Sequence, residues 1–283
     1  MKTNYQINDQ FLLKSSFHIE NQVIRQFYYE YRGEPMELWV NAGNNNIPVL
    51  RSENYMVGTT LKFSPFAIDI ELYQKNMKGM LEYLLPNPAQ ASNNPQQIRE
   101  YRLFRGDGRT RGLDIILSSG YKNYETYLSY TLSKSEERYK EIYQYQFFSS
   151  ETDRTHQFKW VNTLSLNDFT FGLNAIYVSG RPYTEVRLVG ADGDITELNP
   201  EDRLERVDPY HRIDLSAGYT FKIGKLDMTL SASVFNLMNT QNVQYIQSVA
   251  TQLNPDEKIV NTIVGNESEL LNRTFNLGVK LQF

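Results

Sequence analysis

The sequence predicts an all-β chain, an antiparallel up-and-down transmembrane β-barrel of which about eleven strands are present, with long loops at one end and short turns at the other. Three observations predict it. Apolar and polar residues alternate with period 2 in segment after segment, the connections are alternately tight and long, and 20 Tyr and 15 Phe occur in a 283-residue chain of mean hydropathy −0.52. Aromatic residues suit strands and the interface levels of a membrane.

Several classes fall away at once. Lys and Arg number 29 against 33 Asp and Glu, a net charge of −4, so no nucleic-acid footprint is present. Apolar runs reach only about three residues, as at Ile115-Ile116-Leu117, far short of the roughly 20 that a spanning helix needs. With no cysteine there is no disulfide framework or thiolate metal site, and His18, His156 and His211 are too widely separated for a local ligand motif. No carboxylate, serine or histidine cluster has catalytic spacing, so an enzyme is not expected, and no cofactor is implied. The first residues, Met1 to Asp9, contain no apolar stretch or cleavage site, so no secretory signal is read there: either the protein stays inside or the true start is missing.

The strands are expected at about 5–16, 20–31, 53–63, 66–77, 109–118, 123–133, 154–165, 168–180, 211–222, 226–238 and 271–283. The clearest is 211–222, where Ile213, Leu215, Ala217, Tyr219 and Phe221 share one face and small or polar residues the other. Most are near or above the roughly 9–11 residues of a tilted membrane-spanning strand. Tight turns are expected at His18, Ser64-Pro65, Ser119-Gly120, Leu166-Asn167 and Ile223-Gly224-Lys225. Between them lie polar connections at about 32–52, 78–108, 135–153, 181–209 and 239–270, each on the order of 20–30 residues, which is unusual for a compact soluble domain. Every second junction of a meander lies at the same end, so the long loops share an extracellular rim and the short turns a periplasmic one. A large soluble sandwich or barrel is the competing architecture. The small Ser, Thr, Asn and Gly residues opposite the apolar stripes suit a wet lumen better than a sealed core. The last strand, Phe275-x-Leu277-x-Val279-x-Leu281-x-Phe283, is amphipathic with an aromatic end and is similar to the signal by which outer-membrane barrels are handed to their assembly machinery.

Several segments together resemble the C-terminal barrel of TonB-dependent outer-membrane receptors, particularly those of the Bacteroidetes type. They are Ile68 to Lys75, Gly108-Arg109-Thr110-Arg111-Gly112-Leu113-Asp114, Tyr130 to Ser135, Asp153-Arg154-Thr155-His156, Ser179-Gly180-Arg181-Pro182-Tyr183-Thr184, Pro209-Tyr210-His211-Arg212-Ile213-Asp214-Leu215, Val234-Phe235-Asn236-Leu237-Met238-Asn239 and the terminal Phe283. The resemblance implies a 22-stranded barrel in the cell outer membrane, filled by a plug that the TonB complex pulls to import a scarce ligand: a siderophore, cobalamin, glycan or peptide. Residues 1–283 are then expected to be the C-terminal half of that barrel, with signal peptide, TonB box and plug absent, since an odd number of strands does not close an antiparallel barrel. A surface binding or adhesion protein and a non-functional barrel fragment are the alternatives. Expected partners are outer-membrane lipid and lipopolysaccharide, the TonB complex through the plug, the assembly machinery and a small or oligomeric ligand. A surface lipoprotein also fits the resemblance, although no residue here requires one.

Ligand contacts are expected on the outer loops and the mouth. Arg99, Arg102, Arg105, Arg109 and Arg111 crowd one such stretch, and guanidinium forks suit carboxylate or phosphate on a ligand or on lipopolysaccharide; the plainer reading is charge balance with Asp107 and Glu100. Arg181 and Tyr183 are candidates to face the mouth from a Gly- and Pro-terminated strand end, and Tyr210 from the start of the strand after the next loop. Ala191-Asp192-Gly193-Asp194 with Glu197, Glu201, Asp202 and Glu205 has oxygen ligands for a hard cation, but reads more simply as a turn on a solvated loop. His156 and His211 read as interface hydrogen-bonding groups, and Tyr5, Tyr28, Tyr29, Tyr31, Tyr124, Tyr127 and Tyr130 as belt residues.

Overall fold

Period-2 alternation makes strands because successive side chains of an extended chain point to opposite faces. The structure is a computed structural model that describes residues 1–31, 34–43, 46–84, 102–140, 143–183, 206–252 and 261–282. Its strands are β1 (Lys2–Asn8), β2 (Phe11–Gln22), β3 (Ile24–Tyr31), β4 (Glu34–Asn41), β5 (Leu50–Phe63), β6 (Phe66–Leu84), β7 (Arg102–Tyr121), β8 (Tyr124–Tyr139), β9 (Phe148–Ser149), β10 (His156–Leu166), β11 (Phe169–Val178), β12 (Tyr210–Ile223), β13 (Leu226–Phe235), β14 (Val243–Gln252), β15 (Asn261–Glu269) and β16 (Thr274–Gln282). One 3-10 turn, Tyr143–Tyr145, is the only helical piece among the described residues.

Eleven strands form a single antiparallel wall in the order β1-β2-β5-β6-β7-β8-β10-β11-β12-β13-β16, with β9 added to the upper end of β8. Five junctions are two-residue turns at 9–10, 64–65, 122–123, 167–168 and 224–225. The other five are long, and two of these carry hairpins of their own, β3 with β4 and β14 with β15. The wall is open: β1 and β16 have one neighbour each, and both run from the loop rim to the turn rim.

The count of wall strands agrees with the sequence reading, but the first two are displaced. No turn forms at His18, which lies within β2 opposite Asn54 of β5. The chain reverses instead at Asp9-Gln10, where the Asn8 side chain accepts the Gln10 amide at 2.9 Å, an Asx-type turn. Phe17 and Ile19 keep the alternation of Phe11 and Leu13, so His18 continues the period rather than breaking it. Residues 24–31 accordingly leave the wall for the β3-β4 hairpin. The turn after β7 falls at 122–123, with Lys122 at φ 54°, and Gly120 remains in the ladder opposite Glu125.

Register sorts every wall residue to one of two faces. Val57, Leu72, Leu113 and Leu132 stand side by side across β5, β6, β7 and β8 on the apolar face. From the turn rim to that row β7 presents Tyr121, Ser119, Leu117, Ile115 and Leu113. Nine residues of tilted strand give a band roughly 20–25 Å tall, the height of the apolar belt of an outer-membrane barrel. Aromatic rings mark its edges. At the turn rim Phe169 lies 4.6 Å from Tyr219 and Tyr219 lies 5.4 Å from Phe221, and at the upper edge Phe17 and Tyr55 are 5.0 Å apart. This face is bare: Leu277 is 88% exposed and Phe275 71%, while the buried apolar side chains among the described residues are Tyr139, Phe148, Pro182 and Val207, all at the loop rim. There is thus no dry core, and the large apolar surface requires hydrocarbon rather than water. The other face is polar and internally paired, with Lys14 Nζ 2.6 Å from both Asp69 and Glu71, and Thr131 donating to Asp114 at 2.6 Å.

A depth test follows. In the full-length protein in lipid vesicles, Ile115→Arg, at mid-band, should lower unfolding free energy by about 2–4 kcal/mol, whereas Asn76→Arg, on the same face above the band, should cost about 0–1 kcal/mol. Urea midpoints measure both. Equal effects would mean that the band is not where the register puts it.

Candidate functional site

At the loop rim two connections and the upper end of β8 are tied together by one buried carboxylate. Asp153 is 1% exposed; its Oδ1 accepts the Ser135 amide at 2.7 Å and its Oδ2 accepts Arg206 Nη2 at 2.5 Å. Arg206 Nη1 also donates to the carbonyls of Gly180 (2.8 Å) and Asp153 (3.3 Å). The segment 179–183 is pinned again where Val207 donates to the Arg181 carbonyl at 3.1 Å and Pro182 bridges to Arg206. A Cβ at residue 180 would lie 1.7 Å from the Val207 carbonyl oxygen, so only glycine fits there.

This clasp sets Arg154 beside Arg181, because the residues preceding them share one guanidinium nitrogen. Neither makes an ion pair among the described residues. Burial, and then the like charge of Arg181, holds the Arg154 guanidinium below its usual range. Two neighbouring cations with no carboxylate paired to them among the described residues form a fork pair suited to an anion. Tyr183 follows Pro182 on the same segment. Tyr210 heads β12 on the polar face, where its hydroxyl accepts Arg212 Nη1 at 2.8 Å, and Arg212 pairs with Asp214 at 3.0 Å and lies over the Phe235 ring at 4.2 Å.

The arginines of β7 stand elsewhere. Arg105, Arg109 and Arg111 share the face of Leu113 and Ile115, immediately above the apolar band, and so point away from the polar face. Glu136 of β8 gathers Arg109 at 2.6 Å, Lys134 at 2.9 Å and Arg111 at 3.5 Å. Arg138 pairs with Asp107 at 2.9 Å. The segment after the 3-10 turn lies over them, with Phe147 3.9 Å from the Arg109 guanidinium and 4.6 Å from that of Arg138. Tyr145 donates to Asp107 at 2.5 Å, and that bond, followed by burial, raises its phenol above the ordinary range. Arg102 is the first residue of β7, and its side chain lies outside the described residues, as do Arg99, the acidic segment 191–194 with Glu197, Glu201, Asp202 and Glu205, and Phe283. Phe275, Leu277, Val279 and Leu281 line the apolar face of β16. His156 and His211 make local hydrogen bonds, to the Tyr130 hydroxyl (2.9 Å) and the Pro209 carbonyl (3.3 Å).

At the same rim, Asn236 is fully buried in a turn that closes β13. Its backbone amide donates to Asp214 Oδ1 at 2.9 Å, its Nδ2 to the carbonyls of Thr240 and Leu271, and its Oδ1 accepts the Thr240 amide at 3.0 Å. Sequence reasoning included Lys134, Asp153, Arg154 and Asn236 in motifs without assigning them roles, and it passed over Arg206, Glu136, Arg138 and Phe147. The parity of Arg109 and Arg111 with Leu113 was the available signal for the outward cluster. Nothing local marks the contact of Arg206 with Asp153, 53 residues away.

An open antiparallel wall with an exposed apolar belt, aromatic edges and alternate long loops defines the class: this is part of an outer-membrane β-barrel. The chain belongs to the TonB-dependent receptor family; residues 3–237 match the family described as "TonB dependent receptor-like, beta-barrel". No curated protein matches in sequence. Solved structures with a similar fold include BauA, the ferric preacinetobactin receptor from Acinetobacter baumannii (14% identity, TM-score 0.59, covering 98% of this chain and 35% of that one). Another is FyuA, the ferric yersiniabactin uptake receptor from Yersinia pestis (12%, 0.62, 100% and 37%). The ferripyoverdine receptor of the outer membrane of Pseudomonas aeruginosa is a third (13%, 0.61, 98% and 32%). The chain therefore spans about a third of the length of the receptors that it resembles.

Proposed function

We propose that residues 1–283 are the C-terminal part of the barrel of an active outer-membrane importer, one half of a 22-stranded wall, which takes up a scarce ligand with energy delivered by the TonB complex through a plug domain. The observation that carries this reading is the family match over 3–237 on a wall with every long loop at one rim. The parallel course of β1 and β16 supports the division into parts: closure needs an odd number of further strands, which gives an even total. Among siderophore, cobalamin, glycan and peptide, the guanidiniums of Arg154 and Arg181, which make no ion pair among the described residues, favour an anionic ligand, with Tyr183 and Tyr210 as further contacts at the mouth. The related structures include, by name, receptors of ferric preacinetobactin and ferric yersiniabactin.

The test is uptake of iron-59-labelled anionic ferric chelates by cells carrying the full-length receptor, with and without the TonB complex. Accumulation should require the complex. Arg154→Gln with Arg181→Gln should raise the half-saturating concentration about tenfold or more, since each charge-assisted bond contributes about 1.5–3 kcal/mol and 1.4 kcal/mol is tenfold. The amount of folded barrel should stay unchanged. Uptake that is indifferent to the TonB complex, or cell attachment that depends on the loops while no ligand enters, would favour an adhesion protein instead.

A further inference from the structure

We propose that the outward face of β7 and β8, just above the apolar band, is a binding site for the phosphate groups of an outer-leaflet glycolipid. This depends on the membrane level fixed by register and not on transport. Five cations, Arg105, Arg109, Arg111, Lys134 and Arg138, share that face with two carboxylates, Asp107 and Glu136, which leaves an excess of three positive charges.

The site is built rather than scattered. Glu136 is buried and holds three cations at once, yet it can neutralise only one. Phe147 lies against the guanidiniums of Arg109 and Arg138, and Tyr145 is anchored on Asp107, so these groups keep one arrangement without a ligand. Arg105 and Arg111 stay exposed, and Arg105 has no ion pair among the described residues. Height decides the occupant. Arg111 and Lys134 occupy the register row immediately above Leu113 and Leu132, the level at which the headgroups of a lipid whose chains cover the band must lie. A fork of guanidiniums there matches a phosphomonoester in geometry and charge, and lipid chains lying on Leu113, Ile115 and Leu117 would hold the phosphate in place.

The experiment uses the full-length receptor in mild detergent, with heat-dependent gel mobility as the folding control and native mass spectrometry as the readout. The probes are bisphosphorylated lipid A, the same lipid without phosphates, and inorganic phosphate. Wild type should retain the bisphosphorylated lipid, and Arg105→Gln with Arg111→Gln should reduce retention at least tenfold. Lys222→Gln, which removes an exposed cation near the turn rim, should leave it unchanged. If the double variant does not fold, Lys134→Gln alone should still lower retention severalfold. Equal retention of the lipid without phosphates, no loss in the folded variants, or competition by inorganic phosphate at the same concentration as lipid A would each overturn the assignment, the last by making the site one for a free anion. Uptake of ferric chelate, measured on the same variants, should not change, which separates failure of this site from failure of the transport reading.

Discussion

Refolded alone into detergent or vesicles, the 283-residue polypeptide should give no heat-modifiable monomer. The wall ends at β1 and β16, each with a full row of backbone donors and acceptors turned away from its only neighbour. In hydrocarbon each unsatisfied group costs several kcal/mol, so even the seven residues of β1 present a penalty far beyond the roughly 5–15 kcal/mol by which domains are stable. In water the same edges, with an apolar face bare from Phe275 to Leu281, template association. The two edges do not pair in the structure, and because β1 and β16 run the same way they have no antiparallel closure available to them. Boiled and unboiled samples compared on a gel, with light scattering for size, read the outcome. A monodisperse monomer whose mobility changes on heating would mean that the wall closes in a way its strand order does not provide.

The second large effect is expected at Asn236. Substitution by alanine removes three side-chain hydrogen bonds, to the carbonyls of Thr240 and Leu271 and from the amide of Thr240, and empties the space of a side chain that is itself fully buried. It also puts alanine at φ 53°, a left-handed conformation that asparagine tolerates better. At about 1 kcal/mol per bond and about 1 kcal/mol for the backbone, the expected loss is about 3–4 kcal/mol, read as a lower urea midpoint of the full-length receptor in vesicles. Asn236→Gly should recover only the backbone share. Met238→Ala, at a 62% exposed position two residues on, should change little. A loss below 1 kcal/mol for Asn236→Ala would mean that the turn is held by its backbone bonds alone, including that from Asn239 to the Asn236 carbonyl at 2.8 Å.

What the sequence made legible was set by where period 2 is decisive. From β5 to β13 the alternation of large apolar residues with small polar ones located every strand of the wall, but β6, β7 and β8 run six or seven residues farther toward the loop rim than the expected 66–77, 109–118 and 123–133, because charged residues and glycines there weaken the contrast of the period. At the N-terminus Asn8-Asp9 was a turn signal in plain view, but the polar residues around His18 looked like a break, and a single misplaced joint moved two strands. The arginines of β7 were recognised as a group and placed at the outer rim, yet their face depends on parity with Leu113, two and four residues from Arg111 and Arg109. The Asp153 clasp was not legible at all, since it joins two loops and the end of β8 through Arg206 and a carbonyl of Gly180, contacts that no periodicity encodes.

The abrupt step from Leu113 and Leu132 to Arg111 and Lys134 also bears on how the strands find their partners. A slip of one residue between β7 and β8 would turn a whole strand inside out, but a slip of two would keep every side chain on its proper face and cost little in backbone bonding. Such an error would draw cations down into the lipid at a cost on the order of 1–2 kcal/mol each, and would separate Glu136 from the three side chains it gathers. The charge boundary thereby acts as a ruler against misalignment in a wall whose repetitive faces would otherwise accept several neighbouring pairings.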